Sequence, residues 1–362
     1  MDLSAADVRR AWARASGLAR SDAHRVSPAA VVTAAAGIQA QDRRAARLSV
    51  WTRGRHLDAA AIEHALVAER SLVRTWAMRG TLHLVPAADV RWLLDLLGPV
   101  FVAATRRRYH DLGLDEEACA AAVAAIGKAV AAEGPLTRAA LAGRIRAGGV
   151  DVDPGSQAVA HLVRRAALEG VICCGPDDAG SETYVAVDDW IGGGGADDPR
   201  GEAAVAELAR RHLRAFGPAR PEDFASWSGL TMAEARAGWR LLGDELTEVV
   251  AAGRPAWVLA GTDLGTGDRD TPCVRLLPAF DTYLLGHKSR EVIVEDRFAR
   301  KVWPGGGWIH PTVVVDGRVV ATWRLGPGAE VDVDPFIPFD DEVATRLEAE
   351  TGRLSTFLDG AS

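Results

Sequence analysis

Two glutamines one residue apart, in the stretch Gly37-Ile38-Gln39-Ala40-Gln41-Asp42, are the residues whose type and spacing bear most directly on chemistry. Gly37 is placed to end one helix and Asp42 to cap the next. Gln39 and Gln41 then lie on an extended connector, where residues two apart face the same side. Two convergent amides can hold a water through its lone pair and its proton, or read a base edge through paired hydrogen bonds. Neither is a general base at neutral pH, so a reaction built on them must need little proton removal in its hard step. The plain alternative is that the pair satisfies backbone groups at a helix junction, a common use of such side chains.

The pair sits in the most basic part of an acidic chain. Of 362 residues, 42 are Lys or Arg and 49 Asp or Glu, a net charge of −7; residues 1–112 hold 17 basic and 10 acidic residues, which leaves −14 for the rest. A polyanion should therefore meet the N-terminal third. With 48% hydrophobic and 25% charged residues, the chain reads as globular and soluble, long enough for more than one core. No apolar run approaches the roughly 18 residues of a membrane span, and the start Met-Asp-Leu-Ser lacks a basic leader, so a cytoplasmic protein without membrane contact is expected. Cys119, Cys173, Cys174 and Cys273 have neither redox nor zinc spacing, and the nine histidines form no His-x-x-x-His pair with a nearby carboxylate. No metal and no cofactor is expected.

The elements that must position the glutamines repeat along the chain. From about 117 to 190 an Ala-rich helix leads to a short helix capped by Thr137. A third helix over 156–170 puts Val159, Leu162, Val163 and Ala166 on one face and Arg164 and Arg165 on another. Two strands follow, at 171–174 and 183–187. The order recurs from 201 to 260, with Thr231 capping the third helix and strands at 247–250 and 256–259. Helices at 4–17, 28–36, 43–53 and 58–69, with strands at 73–78 and 81–85 across Arg79-Gly80, fit the plan less tidily. Three helices and a hairpin make a winged helix. The expectation is three tandem units at 1–112, 113–195 and 196–262, with 192–195 as linker. Beyond them, 263–362 turns to β, with strand-like segments at 273–277, 282–285, 309–315 and 318–323 and a hairpin turn at Asp316-Gly317. A small barrel or curled sheet and a terminal helix at 340–357 complete a fold that is mainly α with β. Winged helices also serve protein contacts, so the fold alone decides no function.

Loss of an N7-alkylated guanine from deoxyribose meets the requirement set by the glutamines. The charged base leaves without an acid, and a positioned water can trap the oxocarbenium-like sugar. Four stretches in register over nearly the whole chain, Gly37–Asp42, Arg74–His83, Leu277–Gly286 and Gly307–Thr312, together resemble the AlkZ-like DNA glycosylases. The resemblance implies a C-shaped molecule of three winged-helix units and a β-barrel around duplex DNA. It also implies monofunctional removal of bulky N7-alkylguanines, interstrand crosslinks included, often as self-resistance in producers of DNA-alkylating antibiotics. The family's Gln-x-Gln motif maps onto Gln39 and Gln41 as the catalytic pair; a related branch carries Asp at the second position. Ala321 departs from the family pattern, where glycine is expected, and bears on strand packing rather than on the chemistry.

Arg43, Arg44 and Arg47 follow the motif on the next helix and suit phosphate contact, or form a solvated basic face. Arg106, Arg107 and Arg108 allow the same two readings. Arg79 and His83 at the first hairpin can approach a lesion, or His83 can be a buried, bonded ring. His310 and Pro311 are candidates for a hairpin entering the minor groove. Trp51, Trp76 and Trp308 are candidates for base stacking, against core packing. The expected partner is double-stranded DNA carrying alkylated guanine, bound by a monomer. Only three lysines are present, of which Lys288 is the formal candidate for an amine nucleophile. The competing class is a non-enzymatic winged-helix regulator, dimeric and specific for an operator; a protein-interaction scaffold would leave the basic N-terminal third without a role.

Overall fold

A computed structural model describes residues 1–19, 25–193, 195, 197–265, 271–326 and 330–360. Runs of helices and of strands follow one another along the chain in a mixed α/β fold. It divides into two compact units, one of Met1–Glu63 with Val205–Ser362 and the other His64–Ala204. Gly194 of the expected linker lies outside the described residues.

In the His64–Ala204 unit, strands Leu82–Pro86, Leu72–Trp76, Ile172–Cys174, Thr183–Ala186 and Leu136–Thr137 lie side by side in that order, each antiparallel to the next. The first hairpin turns at Arg79-Gly80, both at positive φ (+56° and +62°). Helices Glu116–Glu133, Arg138–Ala147 and Gln157–Leu168 cover the second, with Thr137 Oγ1 accepting from Ala140 N at 3.2 Å. Their apolar faces meet the strands in one core through Ile126, Leu141, Leu162, Val163, Ile172 and Tyr184. Arg165 departs from its expected outer face: it is buried, its guanidinium held by Glu116 and by Glu169 Oε1 at 2.7 Å. Helix Val90–Ala104 was not anticipated. Its Gly98 faces helix Gln157–Leu168 so closely that an added Cβ would sit 2.0 Å from the Leu168 carbonyl oxygen.

In the other unit, Pro221–Ser228 and Met232–Leu242 precede the hairpin Leu246–Ala251/Arg254–Leu259, and Thr231 and Glu234 form a capping box. Asp2–Leu3 adds to this hairpin as a parallel strand beside Leu246–Ala251. That pairing draws the N-terminal helix into a core with C-terminal residues, where Val8 and Trp12 join Val249, Val258, Leu277 and Ile293.

The C-terminal strands Val274–Leu277, Thr312–Val315, Arg318–Leu325 and Val331–Pro335 form an antiparallel sheet in that order, and the last was not anticipated. Asp316 and Gly317 turn at φ +47° and +80°, as a type I′ turn requires. The expected strand at 282–285 is instead a 3-10 turn, Thr282–Leu284. The Asp281 carboxylate accepts from Tyr283 N at 2.9 Å and bends the chain there. Ala321 is fully buried, paired with Val313 on one side and Pro335 on the other, beside a register shift at Val313/Val314. The terminal helix Asp341–Asp359 starts at Asp340, whose carboxylate caps Val343 N. Among the described residues no helix is long and apolar enough to cross a membrane.

Candidate functional site

Helix Pro28–Ala34 ends in a Schellman motif, with Ala36 N donating to Thr33 O at 3.1 Å and Gly37 N to Val32 O at 2.9 Å. Ala36 therefore shares with Gly37 the left-handed conformation expected of the glycine alone (φ +53° and +93°). The chain then runs extended through Ile38–Gln39 until Asp42 Oδ1 accepts from Ala45 N at 2.8 Å and starts helix Arg43–Arg53. Ile38 and Ala40 are fully buried; Gln39 is 7% exposed and Gln41 lies at the surface. Gln39 Nε2 donates to Gln41 Oε1 at 2.6 Å. The two amides thus converge on one side of a connector clamped at both ends, and act as a unit in which neither group takes up a proton at neutral pH.

Arg43 and Arg44 occupy the first turn of the helix, where its dipole disfavours cations by about 0.3–1 kcal/mol, so helix stability does not account for them. Arg44 is exposed and Arg43 half-buried, whereas Arg47 NH2 is paired with Glu63 Oε2 at 2.5 Å. The far end of the helix is fixed by contacts that the sequence did not reveal. Arg53 NH1 and NH2 reach Asp281 Oδ2 and Oδ1 at 2.8 and 2.7 Å, and Ser49 Oγ donates to Asp281 Oδ2 at 2.6 Å. Arg53 also donates from Nε to Ser16 O and from NH1 to Ser49 O. Burial alone would raise the Asp281 pKa, but the Arg53 charge and these hydrogen bonds hold it below the usual carboxylate range. The only available signal was an arginine following the mostly apolar run Leu48–Trp51 at the helix end, since its partner is 228 residues away.

The other predicted residues lie elsewhere. Arg79 and His83 belong to the His64–Ala204 unit. His83 is 1% exposed and its Nδ1 is 2.9 Å from Thr81 O; burial, helped by the Arg79 charge, drops its pKa to about 3, so the ring is neutral. Its bond is local, to a residue two positions earlier on the same arm of the hairpin. Burial also lowers the Arg79 pKa to about 10. His310 is exposed and Pro311 half-buried, on the segment that enters strand Thr312–Val315. Of the stacking candidates, Trp51 packs on Phe357 within a core and Trp76 on Tyr184, whereas Trp308 is 60% exposed with its ring 5.3 Å from that of Phe280. Arg106 and Arg107 are exposed, and Arg108 donates to Gln157.

A mixed α/β chain carrying a neutral glutamine pair in its most basic third is matched by one family model. That model, described as DNA glycosylase AlkZ-like, covers residues 32–357, both glutamines included. The class is DNA glycosylase, a hydrolase of N-glycosyl bonds, and the chain belongs to the AlkZ-like family. An interstrand DNA cross-link repair glycosylase of Streptomyces sahachiroi is 32% identical over 354 residues, 91% of either chain. The solved structure of Streptomyces sahachiroi DNA glycosylase AlkZ superposes with a TM-score of 0.86 at 28% identity, covering 98% of each chain.

Proposed function

We propose that this protein is a monofunctional glycosylase that hydrolyses the N-glycosidic bond of bulky N7-alkylguanines in duplex DNA, interstrand crosslinks included. In this reading it acts as a monomer that protects a producer of a DNA-alkylating natural product. The observation that carries the reading is the 2.6 Å bond joining Gln39 and Gln41 on their clamped connector. Such a pair orients the attacking water and supports the developing sugar cation, while the cationic base departs without an acid. The likeness to a cross-link repair glycosylase supports the choice of lesion.

The scaffold in this reading is three winged-helix units and a small C-terminal barrel, supported by the repeated order of three helices and a hairpin at 116–186 and 201–259. Arg44 and Arg43 meet phosphates beside the glutamines, and Arg79 contributes charge from its hairpin. His83 supports that hairpin from within. His310 and Pro311 enter a groove alongside the exposed Trp308, whose flat ring suits insertion between base steps.

The test is release of base from a duplex carrying a single N7-alkylguanine, with Gln39→Ala and Gln41→Ala beside the wild type. Loss of a positioned group in such a site costs about 10²–10³ in rate, so both variants should fall by that order with unchanged melting temperature. No release from simple or bulky adducts, with tight binding to one undamaged sequence, would establish the regulator instead.

A further inference from the structure

A cleft of about 790 Å³ lies in the Met1–Glu63/Val205–Ser362 unit, between the tip of hairpin Leu246–Ala251/Arg254–Leu259 and the segment 288–303. The glutamine pair is not part of its lining. Four cations reach its wall from three separate stretches: Arg220, Arg254, Lys288 and Arg290. Many arginines are paired with carboxylates, whereas among the described residues the side chains of Arg254 and Lys288 make no ion pair or hydrogen bond. Among the described residues the Arg290 side chain meets only the Trp303 ring, 4.3 Å from its guanidinium carbon.

One further group on the same wall lacks a partner. The Trp303 indole N–H is shielded from solvent and donates to nothing among the described residues. Partial burial lowers the Arg290 pKa, although the residue stays exposed on the cleft wall. Four carboxylates also line the cleft. Asp223, the one that is buried, gives both oxygens to backbone amides, Arg220 N at 3.0 Å and Lys288 N at 2.9 Å. Glu222, Glu291 and Asp296 are exposed, as are Arg254, Lys288 and Arg290, and among the described residues none of these carboxylates is ion-paired with one of these cations.

We propose that this cleft holds phosphodiester groups of a DNA strand, with Arg254, Lys288 and Arg290 as their charged contacts and the Trp303 N–H as a neutral donor. A phosphate takes several N–H donors at once from a fork of guanidinium groups and an ammonium, the set offered here. The site gives the acidic C-terminal part of the chain a hold on the backbone apart from the basic N-terminal third. The inference rests on DNA being the partner, as proposed above.

The test is the salt dependence of binding to an undamaged duplex by the full chain. Each phosphate contact contributes about 0.9 to the slope of log affinity against log salt. Arg254→Ala/Lys288→Ala should flatten that slope by about 2, so that from 50 to 200 mM salt the wild type loses about tenfold more affinity than the variant. Arg290→Lys, which keeps the charge and loses the fork, should weaken binding with the slope retained. Arg346→Ala, on the terminal helix, serves as the control for general charge loss. A wild-type slope in the double variant, with an unchanged melting temperature, overturns the proposal. So does a double variant that loses only the thermal shift given by inorganic phosphate, which would mark a site for the free anion. Base release measured on the same preparations separates the two readings: a wild type that releases no base but shows the slope difference loses the glycosylase function and keeps the cleft.

Discussion

Asp281→Asn tests the anchor that holds helix Arg43–Arg53 in place. The side chains of Arg53 and Asp281 are 1% and 0% exposed, and the carboxylate accepts from Arg53 twice, from Ser49 and from Tyr283 N. The substitution keeps the shape and leaves the guanidinium buried without a counter-charge, which costs about 3–5 kcal/mol. For a unit of this size each kcal/mol moves the melting temperature by about 2–4 °C, so the variant should melt roughly 6–20 °C lower at pH 7. The sign in acid follows from the depressed Asp281 pKa. Its stabilisation is complete above the unfolded carboxylate value near 4 and is lost as pH falls through the lower folded value. Wild type and variant should therefore converge as pH falls below about 4. Arg53→Met/Asp281→Leu should recover most of the loss, though not all, because Arg53 also serves Ser16 O and Ser49 O. Thermal melts of the three proteins from pH 7 to 3 decide it. A difference below about 1 kcal/mol at pH 7, or one that persists undiminished in acid, refutes the anchor.

Burial lowers the pKa of His83, His212 and His287 to about 3. Each binds a proton on unfolding below pH 6.5, so each should cost about 2 kcal/mol of stability at pH 5 relative to pH 8. Urea melts across that range should show the decline, and proton NMR should find these three rings unprotonated down to pH 5; flat stability or a ring titrating near 6.5 counts against the assignment. Gly98→Ala drives a Cβ to 2.0 Å from a backbone oxygen and should cost about 1–3 kcal/mol or more, whereas Gly143→Ala, in a helix with nothing within 4 Å, should gain about 0.5–1 kcal/mol. Calorimetry on both variants checks the contrast, and equal effects would show that the close approach is absent.

What the sequence made legible is local. Helix Arg43–Arg53, the caps at Thr137 and Thr231 and the type I′ turn at Asp316-Gly317 were each set by residues within a few positions of one another, and the observed elements keep those places. The connector carrying the glutamines was legible for the same reason, since Asp42 and the glycine before Ile38 bracket it. Ala36 was missed as a left-handed residue because an alanine takes that conformation only when the helix end demands it, and the sequence does not show the demand.

Several other misses share a cause, which is contact across long sequence separation. The turn at Thr282–Leu284 looked like a strand because Thr282 is β-branched, Tyr283 aromatic and Leu284 apolar. What bends it is Asp281, fixed in turn by Arg53 from 228 positions away. Arg165 looked like a surface residue until its carboxylate partners were placed, Glu116 from 49 positions away. Asp2–Leu3 joins a strand near residue 250, which no periodicity could announce. The same logic separates the two candidate sites. The glutamine pair is a local motif and can be read from six residues. The cationic cleft is assembled from positions 220, 254, 288 and 290 and exists only once the chain has folded, so its residues carried no signal beyond ordinary surface charge.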